Sequence, residues 1–182
     1  MKQKIILVDM DDTIENLLEC WVKCLNEKFS TNVVLNDIID WDINKFFPTL
    51  SNNEIFSPII NGDVWDYVKP KEGAVHYLKK LIDDGHKVYI LTNTHYKCVE
   101  EKFDKVLFKY FPFIKPDQII IAKDKQMVKG DYLIDDGFHN LVGGDYQGIL
   151  VDMPHNRFFN EKEHSVIRVK TWEEIYEIIS DN

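Results

Sequence analysis

Hydrophobic and polar positions change period several times along this chain, and the changes mark out its elements. Residues 4–8 (KIILV) are a short continuous apolar run that stops at Asp9, the pattern of a strand buried on both faces. Over 14–29 the period becomes helical, with Leu17, Leu18, Trp21, Val22, Leu25 and Phe29 at three- and four-residue steps. Residues 36–70 keep neither rhythm. Trp41, Phe46, Phe47, Phe56 and Trp65 stand there among Asn, Asp and Pro, which predicts short helices and loops carrying aromatics.

Regular alternation then sets in. A helix is predicted over 73–84, stopped by Gly85, and a strand over 86–91 that ends at Thr92. A long amphipathic helix comes next over 94–111, closed by Pro112. Strands are predicted over 118–122, 132–134, 148–151 and 166–169, and Thr171 caps a last helix running to Ile179. Apolar strands separated by helices argue for an α/β fold with a mostly parallel sheet between helices. The segment 14–71 lacks this rhythm and comes directly after the first strand. It reads as an insertion, or cap, on a core made of residues 1–13 and 72–182.

Composition narrows the function. Of 182 residues, 22 are basic and 31 acidic, giving a net charge of −9. That balance argues against nucleic-acid polymers and anionic membranes as partners, since both need a basic face. No run approaches the roughly 18 apolar residues of a membrane span, and the start lacks the apolar segment of a signal peptide, so the expected location is cytoplasmic. Three cysteines without paired spacing (Cys20, Cys24, Cys98) read as small buried side chains.

The chemistry sits at strand ends, where open α/β sheets bind ligands. The first strand leads into Asp9-Met10-Asp11-Asp12-Thr13, the second into Thr92-Asn93, the third into Lys123-Asp124-Lys125, and the fourth into Asp135-Asp136. Carboxylates gathered on one rim repel, and a bound cation lets all of them ionise. Oxygen ligands and few histidines point to Mg²⁺. A calcium loop begun at Asp9 fails, because Ile14 and Cys20 stand where glycine and glutamate are needed. A phosphoryl-transfer site fits: Asp9 attacks phosphorus, Asp11 exchanges protons with the leaving group and water, Thr92 and Asn93 donate to phosphate oxygens, and Lys125 supplies positive charge. The substrate is then a small phosphomonoester.

This order of motifs resembles the haloacid-dehalogenase-like phosphatases. The resemblance implies a Rossmann-like core, Mg²⁺ and an aspartyl-phosphate. It makes Asp9 nucleophile and metal ligand, Asp11 acid/base with its carbonyl on the metal, Thr92 a phosphate binder, and Asp135 a further metal ligand with Asp136 as neighbour or alternate. Within that group, Val8-Asp9-Met10-Asp11, Lys69-Pro70-x-x-Gly73-Ala74-Val75, Asp124-Lys125-x-x-Val128, Leu133-Ile134-Asp135-Asp136 and Pro154-His155-Asn156 are similar to the 5′(3′)-deoxyribonucleotidase family. That similarity implies hydrolysis of (deoxy)nucleoside monophosphates, singles out Lys125 among its neighbours, and implies a small helical cap at 14–71. Asp12-Thr13 and Asn93 depart from the family's animal members. The aromatics of 36–70 fit a small cap core as well as a substrate wall, and Pro154-His155-Asn156 reads as a turn. Two other functions compete: the same chemistry on a sugar or other small organic phosphate, and a non-enzymatic phosphoacceptor receiver domain, whose acidic pair stands after its first strand instead of its fourth.

Overall fold

A computed structural model describes residues 2–181; the outermost residues of the expected core, 1 and 182, lie outside this range. Six strands, β1 (Ile5–Val8), β2 (Lys87–Thr92), β3 (Ile119–Ile121), β4 (Tyr132–Asp135), β5 (Gln147–Val151) and β6 (Ile167–Val169), form one sheet in the order β3-β2-β1-β4-β5-β6, with every neighbouring pair parallel. The chain thus builds outward from β1 to β3, crosses back, and continues from β4 on the other side. The crossing-back makes β1 and β4 the switch point of the sheet, where a crevice opens at the carboxyl ends. Gly130 stands just before β4 because a Cβ there would lie 2.9 Å from Leu7 Cγ.

Strand residues alternate between two apolar layers. Ile6, Val8, Ile90, Ile134 and Ile149 belong to the larger one, which also takes in α1 (Leu17–Phe29), α3 (Ala74–Asp83) and α6 (Trp172–Ser180). Leu7, Leu91, Leu133 and Leu150 belong to the smaller one, completed by Leu141, Phe159 and Val166 from loops. Gly85 takes φ +90 just beyond α3, where a left-handed residue ends a helix without steric cost. Thr171 and Glu174 cap α6 reciprocally.

Two expected helices come out differently. The one placed over 14–29 starts only at Leu17: Asp12 takes φ +55, Ile14 N donates to Met10 O at 3.1 Å, and both Asp12 carboxylate oxygens accept from Leu18 N at 3.1 Å. The chain after β1 therefore coils back on itself before the helix begins. The one placed over 94–111 is broken into a single turn at Tyr96–Cys98, α4 (Val99–Lys102), a π-helical turn (Phe103–Leu107) and α5 (Phe108–Tyr110). A π turn adds a residue and so rotates the helical segments on its two sides relative to each other.

Between β1 and α3 the chain folds α1 and α2 (Asn52–Ile60) against each other. Trp21 Nε1 donates to Ile55 O at 2.6 Å, and Phe47 and Trp65 are each 1% exposed. A single antiparallel bridge, Glu15 to Pro70, closes the two passes by which this segment leaves and rejoins the core. α6 is fastened to the loop after β1 by Trp172 Nε1, which donates to Thr13 O at 3.1 Å in a buried position. Trp172→Phe leaves that carbonyl unpaired and is expected to lower unfolding free energy by about 1–2 kcal/mol, read as a lower denaturation midpoint at unchanged slope.

Candidate active site

The three strand tips that carry chemistry are sheet neighbours. Asp9 comes directly after β1, Thr92 closes β2 and Asp135 closes β4, and Asp9 N is tied to Ile134 O at 2.9 Å. Beyond these tips opens a cleft of about 1000 Å³ between the core and the 14–71 segment. Asp9, Asp11, Asn93, Lys125 and Asp136 line it. Thr92 and Asp135, both fully buried, stand behind that wall.

Lys125 joins the two central carboxylates. Its Nζ lies 2.5 Å from Asp9 Oδ1 and 2.6 Å from Asp135 Oδ2, and the side chain is 3% exposed. Burial alone would lower its pKa; Asp135 and Asp9 outweigh burial and raise it, so the ammonium stays charged. Burial also pushes Asp9 well above the ordinary carboxylate range; Lys125 opposes the rise, while Asp135, Asp11 and Asp136 add to it. Asp135 spends its whole acceptor capacity on protein: Oδ1 takes Gly137 N at 2.7 Å and Asn140 Nδ2 at 3.1 Å, and Oδ2 takes Lys125 as well as Asn140 at 3.2 Å. Gly137 is required in that loop, since a Cβ would lie 2.9 Å from Asn140 Nδ2 and 3.0 Å from Asp135 Oδ1.

A second lysine, which the sequence patterns do not single out, serves the other carboxylate. Lys102 ends α4, is 1% exposed, and places Nζ 2.7 Å from Asp11 Oδ2 and 3.0 Å from Thr92 Oγ1. A signal for it exists in the sequence: Cys98, Lys102 and Val106 are spaced by four on one buried stripe, and a lysine in such a stripe needs a partner. Glu15 is a second residue that sequence reasoning misses. It is fully buried, and neither carboxyl oxygen has a hydrogen-bond partner among the described residues. Burial, reinforced by Asp11 and Asp12, raises its pKa well above normal.

The aromatics of 36–70 divide between the segment's interior and the cleft. Phe47 is interior to the segment, whereas Trp41, half exposed, lines the cleft; Trp65 is buried yet borders the cleft, 5.8 Å from Lys102 Nζ. Pro154-His155-Asn156 does form a turn, and its His155 also reaches the site, with Nε2 2.9 Å from Asp136 Oδ2.

The donor set suits a hard divalent cation. Asp9, Asp135 and Asp136, all buried, each offer a carboxylate oxygen within 4.8 Å of the others. Lys125 is the one ammonium paired with this group among the described residues, so negative charge is left over.

Comparison with known proteins agrees with this geometry. Residues 3–181 match the profile of the family described as "5′ nucleotidase, deoxy (Pyrimidine), cytosolic type C protein". A 5′(3′)-deoxyribonucleotidase of Bacillus subtilis is 34% identical over 175 residues, covering 95% of this chain and 96% of its own. One from Clostridium acetobutylicum is 30% identical over 174 residues, covering 96% and 93%. Among solved structures, a HAD family hydrolase from Deinococcus radiodurans with bound phosphate and sodium superposes at TM-score 0.66 with 12% identity, over 98% of this chain and 96% of that one. A haloacid dehalogenase-like hydrolase from Streptococcus pneumoniae gives 0.66 with 10% identity over 97% and 98%. These two establish the fold. Among the described residues no helix is long and apolar enough to cross a membrane.

Burial lifts the Asp12 carboxyl from the ordinary 3.8 to about 7, with Asp136 adding to the rise and Lys71 and the Leu18 N–H opposing it. A carboxyl whose pKa is higher folded than unfolded stabilises fully below the unfolded pKa and loses that contribution as pH climbs through the folded one. Asp9, Glu15 and Asp135 shift in the same direction. Without divalent ions, the melting temperature is therefore expected to fall between about pH 5 and pH 8, and Mg²⁺ to restore more of it at the upper end. A metal-free melting curve that rises over this interval would contradict the shifts.

Proposed function

The chain belongs to the cytosolic type C 5′-nucleotidase family, a phosphatase family, and on that premise we propose that it hydrolyses 5′- and 3′-deoxyribonucleoside monophosphates with Mg²⁺ and an aspartyl-phosphate intermediate. The observation that carries this reading is the fixed pair at the base of the cleft: the Asp9 carboxylate held by buried Lys125, beside Thr92 and Asp136.

Asp9 attacks phosphorus with the carboxylate oxygen that Lys125 leaves free. Lys125 opposes the push of burial on that group, and a bound cation would offset the rest. Asp136, together with Asp9 and the Asp11 backbone carbonyl, would hold the metal; Asp135, whose oxygens are already committed, would orient Lys125 instead of serving as a direct ligand. When bound, Mg²⁺ supplies positive charge to the phosphate oxygens and offsets the carboxylate excess.

Asp11 donates a proton to the departing nucleoside oxygen and later accepts one from the attacking water. In the substrate-free site the Lys102 ammonium pairs with the Asp11 carboxylate. A dianionic phosphate arriving at the Thr92 hydroxyl draws that ammonium onto its own oxygens. Asp11 then loses part of its counter-charge and stands beside the buried Glu15 carboxyl. Asn93, exposed at the cleft wall, is a further donor to phosphate. The 14–71 segment acts as a cap whose cleft-facing residues, Trp21, Trp41, Phe56, Ile59 and Ile60 among them, form the apolar wall for the nucleoside.

Phosphate release from nucleoside 5′- and 3′-monophosphates, in deoxy and ribo forms, is the test, with sugar phosphates and an aryl phosphate alongside. Deoxyribonucleotides are expected to be turned over best, and chelator to stop the reaction. Asp9→Asn is expected to lower kcat by about 10³-fold or more, and Lys102→Met by about 10²–10³. Activity surviving Asp9→Asn removes the nucleophile assignment. Turnover of sugar phosphates in preference to nucleotides moves the substrate reading to that class.

A further inference from the structure

His155 is a turn residue with an unusual environment. The residue is 4% exposed, and Nε2 lies 2.9 Å from Asp136 Oδ2, an ion-pair contact not aligned as a hydrogen bond. The turn that carries it is fastened from below. Asn156 Nδ2 donates to Asp136 O and to Val151 O, both at 2.8 Å, and Asn156 Oδ1 accepts from Arg168 Nη1 at 2.7 Å. These bonds lock the 154–156 turn to the ends of β4 and β5 and to β6. They fix the His155 backbone relative to Asp136 and leave the ring to be held by its neighbours above.

The neighbour above it comes from the other side of the cleft. Trp41, in the 14–71 segment, meets the His155 ring edge-on at 5.2 Å between centroids, and the His139 ring at 4.5 Å, with interplanar angles of 78° and 75°. Trp41 is half exposed and is not buried inside its own segment as Phe47 is. Its ring contacts are with two histidines of the core. The cap segment thus touches a side chain that touches a carboxylate of the acidic cluster.

We infer that His155 is a positioning residue for the Asp136 carboxylate, and that Trp41 sets how firmly its ring is held, so that the placement of the 14–71 segment and metal affinity are coupled through this one imidazole. The inference rests on the reading of Asp136 as a metal ligand. A ligating carboxylate with a single buried ring-nitrogen contact swings when that contact is lost, and loss of such outer partners weakens metal binding about 10–100-fold in other sites. The ring contacts of Trp41 with the core are with His139 and His155, and these rings are the route by which its removal reaches the acidic cluster.

Mg²⁺ binding to the purified full chain without substrate, measured by calorimetry, is the readout, with thermal melts verifying that each variant folds. His155→Leu is expected to raise the Mg²⁺ dissociation constant about 10-fold or more, and His155→Gln, which keeps an N–H donor, to recover part of the loss. Trp41→Ala is expected to weaken binding by a smaller factor, and the Trp41→Ala, His155→Leu double variant to bind no more weakly than His155→Leu alone. Wild-type affinity in folded His155→Leu overturns the positioning role. Additive losses in the double variant overturn the link through His155. If His155→Leu does not fold, unchanged affinity in both His155→Gln and Trp41→Ala overturns the inference. Asp136→Asn separates the two levels: should it bind Mg²⁺ as wild type does, the ligand reading beneath this inference falls first. Loss of binding in Asp136→Asn with His155 and Trp41 variants unaffected removes the inference alone.

Discussion

A buried ammonium between two buried carboxylates holds this site together. Lys125 lies within hydrogen-bonding distance of Asp9 at the tip of β1 and of Asp135 at the tip of β4, and both carboxylates are buried. Desolvating three charges costs several kcal/mol per ion, and the mutual attraction offsets this only when the remaining lone pairs are also satisfied. Asn140 and the Gly137 N–H satisfy those of Asp135. Asp9 keeps one oxygen uncommitted to Lys125, facing the cleft that it lines. The switch in strand order between β1 and β4 brings these groups together, so the topology and the ion triad require each other.

The two lysines divide the work by what surrounds them. Lys125 is bound to two carboxylates and has little reason to move. Lys102 is bound to one carboxylate and one hydroxyl, beneath the ring of Trp65. A π turn begins immediately after Lys102 and carries the chain into Phe103, Val106 and Leu107 of the apolar core.

Much of this is legible in the sequence because strand ends are marked by abrupt loss of hydrophobicity. Asp9, Thr92 and Asp135 each end an apolar run, and parallel strands deliver such residues to one edge. Lys125 stands out only through its resemblance to a known motif, as Lys123 and Lys129 are equal candidates on spacing alone. Lys102 and Glu15 do not stand out, because charge on a helix or after a turn usually means solvent, and only three-dimensional packing removes the solvent. The broken helix over 96–110 is hidden for a related reason: a π turn shifts periodicity by one residue, which a stripe of Phe, Val and Leu tolerates. The late start of α1 reflects Asp12, whose carboxylate competes for the helix's first free N–H groups. The receiver-domain alternative is set aside by the position of the acidic pair on β4 and by family membership along nearly the whole chain.

The sheet order also governs how the protein comes into being on the ribosome. β1 is made first, yet its partners are residues 87–90 and 132–134. At about 5–20 residues per second, this strand waits some 6–25 s for its second neighbour to be synthesised. During that interval residues 14–71 can collapse locally around Trp21, Phe47, Ile55 and Trp65, while Ile5–Val8 remains an unpaired hydrophobic edge. Asp9 acquires its counter-ion only after Lys125 and β4 have emerged. A nascent chain interrupted before that point carries Asp9 without the buried ammonium and the neighbouring carboxylates that set its charge.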